Sequence, residues 1–257
     1  MPKKIIDRTG EENYNNEGTL MRIIEYRKFN DILVEFQDEY KAKVHTQYGT
    51  FKNGNIKNPY DRTVFGVGYV GEGIYNHKDY PNIYDKWHSM IQRCYDPYYI
   101  NGHLTYIDCY VCELWHCFQN FAKWYEENMY ECNNEEMHLD KDILIKGNKI
   151  YSPETCIFVS QKINLLFIKR NASRGKYPIG VTWHKKNNKF MAKCQILDKK
   201  NNKKSIWLGY YNTSEEAFLA YKNFKEKYIK QVADEYKDLI PKELYNAMYK
   251  YEIEIND

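Results

Sequence analysis

The sequence GVTWHKKNNKFMAKCQIL (180–197), followed by KKSIWLGYYN (203–212) and TSEEAFLAYKNFKEKYIKQVADEY (213–236), decides the fold of the C-terminal part of the chain. Its first two pieces alternate apolar and polar residues, and Asn pairs mark the turns between them, which predicts three antiparallel strands. The third piece repeats apolar residues at helical spacing, and Thr213 with Glu216 forms a capping-box pattern. We therefore expect a three-stranded antiparallel sheet packed on one helix.

Positive charge is concentrated around this stretch. The whole chain of 257 residues has a formal net charge of only +3. Between Ser160 and Thr213, however, thirteen Lys or Arg residues face a single acidic residue, Asp198. A local excess of this size predicts a polyanionic partner, and its alternative is a solvated lysine face without a ligand.

The N-terminal part is predicted to consist of short strands. The run TLMRIIEYRKFNDILVEF (19–36) contains alternating and β-branched apolar residues around an Asn30-Asp31 turn signal. Glycine and asparagine recur through Gly73, which continues the pattern of strands and tight turns. We expect a small SH3-like β-barrel here, with no visible catalytic set.

The middle part is predicted to begin with two amphipathic helices. YDKWHSMIQRCYDP (84–97) and CELWHCFQNFAKWYEENMY (112–130) repeat aromatic and aliphatic residues at helical spacing, and Pro97 should end the first helix. MHLDKDILIKGNKIYSPETCIFVSQKINLL (137–166) then gives a strand, a Gly147-Asn148 turn, a strand and a short helix. This order predicts a ββα unit.

The C-terminal stretch resembles the APETALA/ethylene-response-factor (ERF) DNA-binding domain. The resemblance rests on Gly180-Val181, on Trp207-Leu208-Gly209 and on the helix start from Thr213 to Ala217, followed by Ala220-Tyr221. It implies that the sheet enters the major groove of double-stranded DNA. The candidate DNA-binding residues are Arg174, Lys176, Thr182, Trp183, His184, Lys185, Lys186, Lys189, Lys193, Gln195, Lys203 and Lys204. Thr182 and Gln195 depart from the family, so its target sequence is not carried over.

The middle part resembles phage-borne endonucleases of the HNH type through YxxWxxMxxRCY, the run from Val111 to Phe118 and LDKDIL…GNKIYSPETC. The resemblance implies one divalent metal, Mg²⁺ or Mn²⁺. Lys141 stands where the general base is expected, and His138 lies two residues before Asp140 on the same strand face. The candidate catalytic residues are His138, Asp140, Lys141 and Asn148. The candidate metal ligands are Asp140, Asp142 and Asn164.

Seven cysteines are an odd number, and the first residues, Met1-Pro2-Lys3-Lys4, do not resemble a secretory signal, so we expect no disulfide framework. Cys109 and Cys112, with Cys117, His116 and His103 nearby, have half of a zinc-site pattern. Cys132 and Cys156 could complete it in space. We expect buried thiols in preference to structural zinc, because a second matched pair is missing from the sequence.

No apolar run approaches the roughly eighteen residues of a membrane span, so we expect a cytoplasmic protein without a membrane partner, in a bacterial host by resemblance. The predicted class is α+β, with domains at 1–76, 77–171 and 172–236 and a helical tail at 237–257. The favoured function is metal-dependent, site-selective DNA cleavage of homing type. The alternatives are a catalytically inactive DNA-binding protein, such as a regulator or genome-associated factor, and an interaction protein that targets host machinery.

Overall fold

The computed structural model describes residues 6–168, 175–197 and 202–257. The chain divides into two compact units. The first unit contains Met1–Glu127 with Ile150–Ser152, and the second contains Asn128–Lys149 with Pro153–Asp257. Elements are numbered in chain order below. This division does not test the predicted domain boundaries, which stay predictions.

The first unit opens with a four-stranded antiparallel sheet in the order β1-β2-β3-β4. The strands are β1 (Glu12–Tyr14), β2 (Leu20–Lys28), β3 (Asp31–Phe36) and β4 (Lys43–Thr46). Strand β3 buries every second side chain, Ile32, Val34 and Phe36, as the period of a strand requires. These side chains pack on Phe51 of α1 (Tyr48–Lys52). Closure of this sheet into the predicted barrel stays a prediction.

Three helices and a short parallel strand pair follow in the first unit. They are α2 (Pro81–Tyr95), α3 (Pro97–Gly102) and α4 (Phe118–Asn128), with short parallel strands β5 (Tyr110–Val111) and β7 (Ile150–Tyr151). Helix α2 buries its predicted stripe, and the Trp87 indole donates to the Trp115 carbonyl over 2.8 Å. The second helix starts later than predicted. Glu113–His116 forms a 3-10 turn, so Leu114 leaves the apolar stripe and is 55% exposed.

The second unit begins with a strand pair. Strands β6 (Met137–Asp140) and β8 (Ile157–Ser160) are antiparallel, and α5 (Gln161–Phe167) follows directly. All four residues of β8 are buried. The Ser160 hydroxyl accepts the Ile163 amide and caps α5. Two paired strands and a short helix are therefore present, with the β6 loop (141–149) after the first strand. The pairing differs from the prediction, because the strand after Gly147-Asn148, β7, pairs with β5, and β6 pairs with the later strand β8.

The C-terminal part of the second unit has the predicted sheet and helix. Strands β9 (Val181–His184), β10 (Lys189–Leu197) and β11 (Lys203–Tyr211) form an antiparallel sheet in the order β11-β10-β9, followed by α6 (Ser214–Tyr236) and α7 (Lys242–Lys250). Thr213 and Glu216 form the capping box. The α+β class and this sheet-on-helix arrangement are confirmed. Among the described helices, none combines the length and apolarity that a membrane crossing needs.

The sheet packs on α6 through small residues and one glycine. Ala192 and Cys194 of β10 are buried, as is Ala217 of α6. Gly180, just before β9, has φ +78°, and a Cβ there would lie 2.1 Å from the ring of Tyr221 on α6. Both the positive φ and the close ring therefore require glycine at this position.

The C-terminal segment (251–257) follows α7 and closes over the β6 loop. The Lys146 ammonium donates to the Glu252 carbonyl over 2.9 Å and to the Asp257 carboxylate over 3.0 Å. The Tyr251 ring meets Phe167 of α5 edge-on at 4.7 Å. The Ile253 amide donates to Glu226 of α6. The segment thus joins the β6 loop to two helices of the same unit.

Candidate nucleic-acid interface

Strand register decides which side chains of the C-terminal sheet face away from α6. Residues directly opposite each other in an antiparallel pair share a face. Val181 pairs with Ala192 on the face that α6 covers, and Thr182 pairs with Met191 on the other. Following the register gives the outer sheet face: Thr182, His184, Lys189, Met191, Lys193, Gln195, Leu197, Lys203, Ser205, Trp207 and Tyr210.

A β-bulge changes the composition of this face. Ala192 pairs with Gly209, but the next residue of β10, Lys193, pairs with Trp207, which leaves Leu208 as the extra residue. Without the bulge, Trp207 and Tyr210 would lie on opposite faces. With it their rings meet at 5.5 Å, and Trp207 is 61% exposed. An exposed tryptophan therefore lies directly opposite Lys193.

The lysines of the outer sheet face are available to a ligand. Lys189, Lys193 and Lys203 are exposed. In the described part of the chain, no acidic side chain forms an ion pair with them. Lys185 and Lys186 are exposed in the turn that joins β9 to β10. In the described part of the chain, the positive charge of the outer sheet face is therefore not neutralised by ion pairs.

The backbone N–H of Asn187 donates both to the His184 carbonyl, over 3.2 Å, and to the His184 ring. The ring accepts at Nδ1 over 3.3 Å, and it lies 4.9 Å from the ring of Tyr210. A neutral histidine whose Nδ1 accepts carries its proton on Nε2, so the assigned bond makes Nε2 the donor. His184 can therefore donate to an acceptor of a bound ligand.

Some predicted residues lie off the outer sheet face. Trp183, 37% exposed, pairs with Phe190 on the same face as Val181, and the two aromatic rings meet at 4.9 Å. Lys204 pairs with Ile196 on that same face. Lys176 precedes β9, with its ammonium 5.4 Å from the Tyr177 ring. Arg174 lies outside the described residues.

Two aromatic residues of the outer sheet face, Trp207 and Tyr210, were missed from the sequence. Trp207 stands two positions after Ser205 and four after Lys203, so strand alternation was the available signal. Tyr210 gave no such signal, because only the bulge brings it to this face. Tertiary pairing, not composition, identifies it.

The β6 loop contains the second group of predicted residues. Asp140 Oδ1 accepts the N–H groups of Asp142 and Ile143 over 2.9 and 2.8 Å. Burial, followed by the neighbouring Asp142 carboxylate, raises the pKa of Asp140 to about 6. Asp140 and Asp142 are therefore close enough to repel each other, while two backbone amides hold Asp140 in place.

Lys141 is buried and bound within its own loop. Its ammonium donates to the Asp142 carboxylate over 3.1 Å and to the Asn148 carbonyl over 2.9 Å. The Asn148 side-chain amide donates back to the Lys141 carbonyl over 2.6 Å. The structure thus brings Lys141, Asp142 and Asn148 together, in contacts that close the loop.

The other predicted catalytic and metal residues are less closely joined. His138 pairs with Val159 across the strand pair, and its Nε2 lies 4.0 Å from the Glu136 carboxylate. Asn164 is on α5, and within the described ranges no hydrogen bond links it to Asp140 or Asp142. The same ranges contain no group of three or more His, Cys, Asp or Glu side chains that could hold a metal ion.

The cysteines are divided between the two units. Cys109, Cys112 and Cys117 belong to the first unit, and Cys132 and Cys156 to the second. All seven cysteines lie in the described ranges, and none forms a disulfide. Burial raises the pKa of the Cys132 thiol to about 11, which disfavours its thiolate.

Comparison with known proteins identifies one region. Searches of curated proteins and of solved structures gave no match. The comparisons also give no support to the nuclease resemblance of the middle part. The family comparison, in contrast, matches residues 176–231 to the AP2 domain. This range contains β9, β10, β11 and most of α6. The C-terminal sheet and helix, with the outer sheet face, are thus similar to AP2, a DNA-binding domain.

Proposed function

We propose that this protein binds double-stranded DNA sequence-selectively through the outer sheet face. The observation that carries the proposal is the line formed by Gln195, Lys193 and Trp207 on adjacent strands, inside the range similar to the AP2 domain. These side chains are exposed. A charged face alone would support binding to any duplex. The amide and the indole beside the lysine add the means to discriminate.

The dimensions and donors of the face suit a DNA groove. The major groove, about 12 Å wide, admits a β-ribbon, and each base pair there shows its own pattern of donors and acceptors. Gln195 can pair with adenine and Lys193 with guanine. Lys189 and Lys203 lie at strand ends, where contacts to phosphates would position the sheet without reading sequence.

Selection from a random duplex library tests the proposal. The selected duplex should bind more tightly than its scrambled version by at least roughly a thousand-fold at physiological salt. Affinity for both should fall linearly with the logarithm of salt concentration, because bound lysines release counterions. Equal affinity for selected and scrambled duplexes would reduce the function to unspecific DNA binding.

A second candidate function, metal-dependent cleavage of DNA, rests on the Asp140–Asp142 carboxylate pair. Carboxylates are the ligands that Mg²⁺ prefers. Burial first, and the neighbouring Asp142 carboxylate second, raise the pKa of Asp140, and a bound cation would offset the second cause. The Lys141 ammonium already binds Asp142, however, and the described residues supply no third ligand. The residues present thus do not complete a metal site, and we assign no cleavage step to them.

Incubation of supercoiled plasmid with the protein and Mg²⁺ or Mn²⁺ tests this second candidate. Cleavage that disappears in Asp140→Asn would support it, since that variant keeps the acceptor oxygen and loses the charge. Plasmid that stays supercoiled would leave a catalytically inactive DNA-binding protein or an interaction protein. A phage origin and a bacterial cytoplasmic location belong to this proposal and rest on the HNH resemblance alone.

A further inference from the structure

Four side chains that offer carbon surface meet in the middle of the outer sheet face. Met191 of β10 pairs with Thr182 of β9 on one side and with Tyr210 of β11 on the other. The Trp207 ring follows next to Tyr210, with 5.5 Å between the ring centres. Directly opposite residues of antiparallel strands bring their side chains close together. These four residues are called the apolar centre below.

The apolar centre is open to a ligand. Met191 and Tyr210 are half-buried, and Trp207 is exposed. Thr182 is half-buried too, and its hydroxyl is shielded from solvent without a hydrogen-bond partner among the described residues. Thr182 therefore adds carbon surface, and not an accessible hydroxyl, to the apolar centre.

Positive charge and hydrogen-bonding groups surround the apolar centre. Lys193 lies opposite Trp207, and Gln195 follows it on the same face of β10. Lys189 and Lys203 are the first residues of β10 and β11. These lysines suit the phosphates that flank the major groove, and the middle of the face then meets base edges. The apolar group that a base edge presents in the major groove is the C5-methyl group of thymine.

The charge of the matched range comes from lysine alone. Residues 176–231, which are similar to the AP2 domain, contain no arginine. Guanine is read by Arg or Lys, but only Arg holds its donors in a rigid fork that matches two acceptors at once. Glutamine reads adenine with two hydrogen bonds, and apolar side chains contact the thymine methyl group. Gln195 and the apolar centre thus provide for both bases of an A·T pair.

We propose that the apolar centre binds C5-methyl groups of thymine, so that the preferred duplex carries A·T pairs where it faces these residues. The inference rests on the proposed function, because it specifies which base pairs the outer sheet face selects. Removing one methyl group from water stabilises a complex by an amount that corresponds to about fourfold in affinity. Cytosine has no such methyl group and does not gain this contact.

Uracil in place of thymine tests the proposal, since the exchange removes the C5-methyl group and leaves the base pairing intact. The duplex selected from a random library is titrated with the full chain, one thymine at a time replaced by uracil. We expect affinity to fall about fourfold for each thymine that faces the apolar centre. Thymine replaced in the flanking sequence should leave affinity unchanged and is the control on the DNA.

Variants of the central side chain assign the effect to this part of the sheet. Met191→Ala should bring the ratio of thymine to uracil affinity close to one, whereas Met191→Leu keeps an apolar side chain of similar volume and should keep the ratio. Trp183→Ala, on the opposite face, is the matched control and should keep it as well. A partial loss of folded protein would lower both affinities equally, so it would leave the ratio unchanged.

The outcomes distinguish this inference from the proposed function on which it rests. A selected duplex without thymine, equal affinity for thymine and uracil at every position, or an unchanged ratio in Met191→Ala would overturn the inference alone. A library that yields no preferred sequence would remove the proposed function, and the inference with it.

Discussion

The outer sheet face and the β6 loop use the same kinds of side chain in opposite ways. Lys193 is exposed on the sheet, and no described acid pairs with it. Lys141 is buried in the loop, and its ammonium is bound to Asp142 and to the Asn148 carbonyl. The difference teaches that the availability of a polar group, more than its identity, separates a binding surface from a structural contact.

The same contrast holds for hydrogen-bond acceptors and donors. In the loop, backbone amides already occupy one Asp140 oxygen, and the Asn148 amide is used in closing the loop. On the sheet, His184 uses Nδ1 within the protein and keeps Nε2 as a donor. The loop thus meets its own polar requirements, whereas the outer sheet face retains donors for a ligand.

The largest expected effect comes from a substitution that disturbs the packing of the C-terminal sheet on α6. Gly180→Ala forces a Cβ to within 2.1 Å of the Tyr221 ring at a residue with φ +78°. We expect the module to lose about 3 kcal/mol or more of stability, through strain and displaced packing together. Thermal unfolding should show the loss, and DNA affinity at 37 °C should fall with it.

Gly175→Ala is the matched control. A Cβ at Gly175 meets nothing within 4 Å, so we expect a stability change within about 0.5 kcal/mol. Equal Tm values for Gly180→Ala and the unmodified protein would mean that β9 does not pack on α6 as described.

The second effect separates the two faces of the sheet. Trp207→Ala should weaken duplex binding by roughly ten- to a hundred-fold, the range for loss of a buried aromatic contact at an interface. Trp183→Ala should leave affinity within about two-fold, because Trp183 lies on the opposite face beside Phe190. Fluorescence anisotropy with one labelled duplex measures both. A larger loss of affinity for Trp183→Ala than for Trp207→Ala would mean that DNA binds the opposite face of the sheet.

A third effect distinguishes base contacts from phosphate contacts within the outer sheet face. Lys193→Ala and Gln195→Ala should change which sequences are selected, at about 1–3 kcal/mol for each lost base contact. Lys203 is the first residue of β11. Lys203→Ala should weaken binding to all sequences alike and reduce the slope of log affinity against log salt by about one. Selection experiments on the three variants check this. An equal loss of affinity for all sequences in all three variants would mean that Lys193 and Gln195 contact phosphates and not bases.

The smallest effect concerns the β6 loop. The folded pKa of Asp140, about 6, is above its ordinary value of 3.8. The folded protein therefore holds a proton more tightly than the unfolded chain, and stability falls as pH rises from about 4 to 6. Asp140→Asn keeps the acceptor for both amides and removes this charge. Because Asp140 keeps some exposure, we expect a gain of about 1 kcal/mol at pH 7.5 that disappears at pH 4.

Thermal or urea unfolding at the two pH values measures this difference. Asp142→Asn is the comparison variant, since it removes the same repulsion from Asp140 but also takes the carboxylate partner from the buried Lys141. We therefore expect it to give a smaller gain than Asp140→Asn. An Asp140→Asn variant that is less stable at pH 7.5 would show that the carboxylate charge supports the loop.

The sheet and helix could be predicted because their signals are local. The capping box of Thr213 and Glu216 and the turn at Asn187 and Asn188 depend on neighbouring residues only. Asn188 has φ 51° in that turn, a conformation that asparagine tolerates. Leu114 shows the limit of this reasoning. Its spacing from the other apolar residues fitted a helix, but it lies in a 3-10 turn before α4 and is exposed.

The composition of the candidate sites depended on contacts between distant residues. The bulge opposite Ala192 and Lys193 determines which β11 residues face outward, and strand alternation does not reveal it. Lys141 could be recognised from the sequence only as the residue at the position of the general base. Its burial against Asn148, seven residues away, needs the closed loop. Gly180 could be recognised as part of a motif. The structure shows why glycine is needed there, because the Tyr221 ring, forty-one positions later, leaves no space for a Cβ.

The contacts of Lys146 have a consequence for the order of folding. Lys146 meets Glu252 and Asp257 across 106 and 111 residues of chain, whereas the strands and helix of the module pair over short separations. Local contacts form fastest, and closing a long loop costs more entropy. During synthesis the β6 loop is made early, yet it acquires these partners only after residue 257 has left the ribosome. We infer that these side-chain contacts of Lys146 are among the last contacts of the second unit to form.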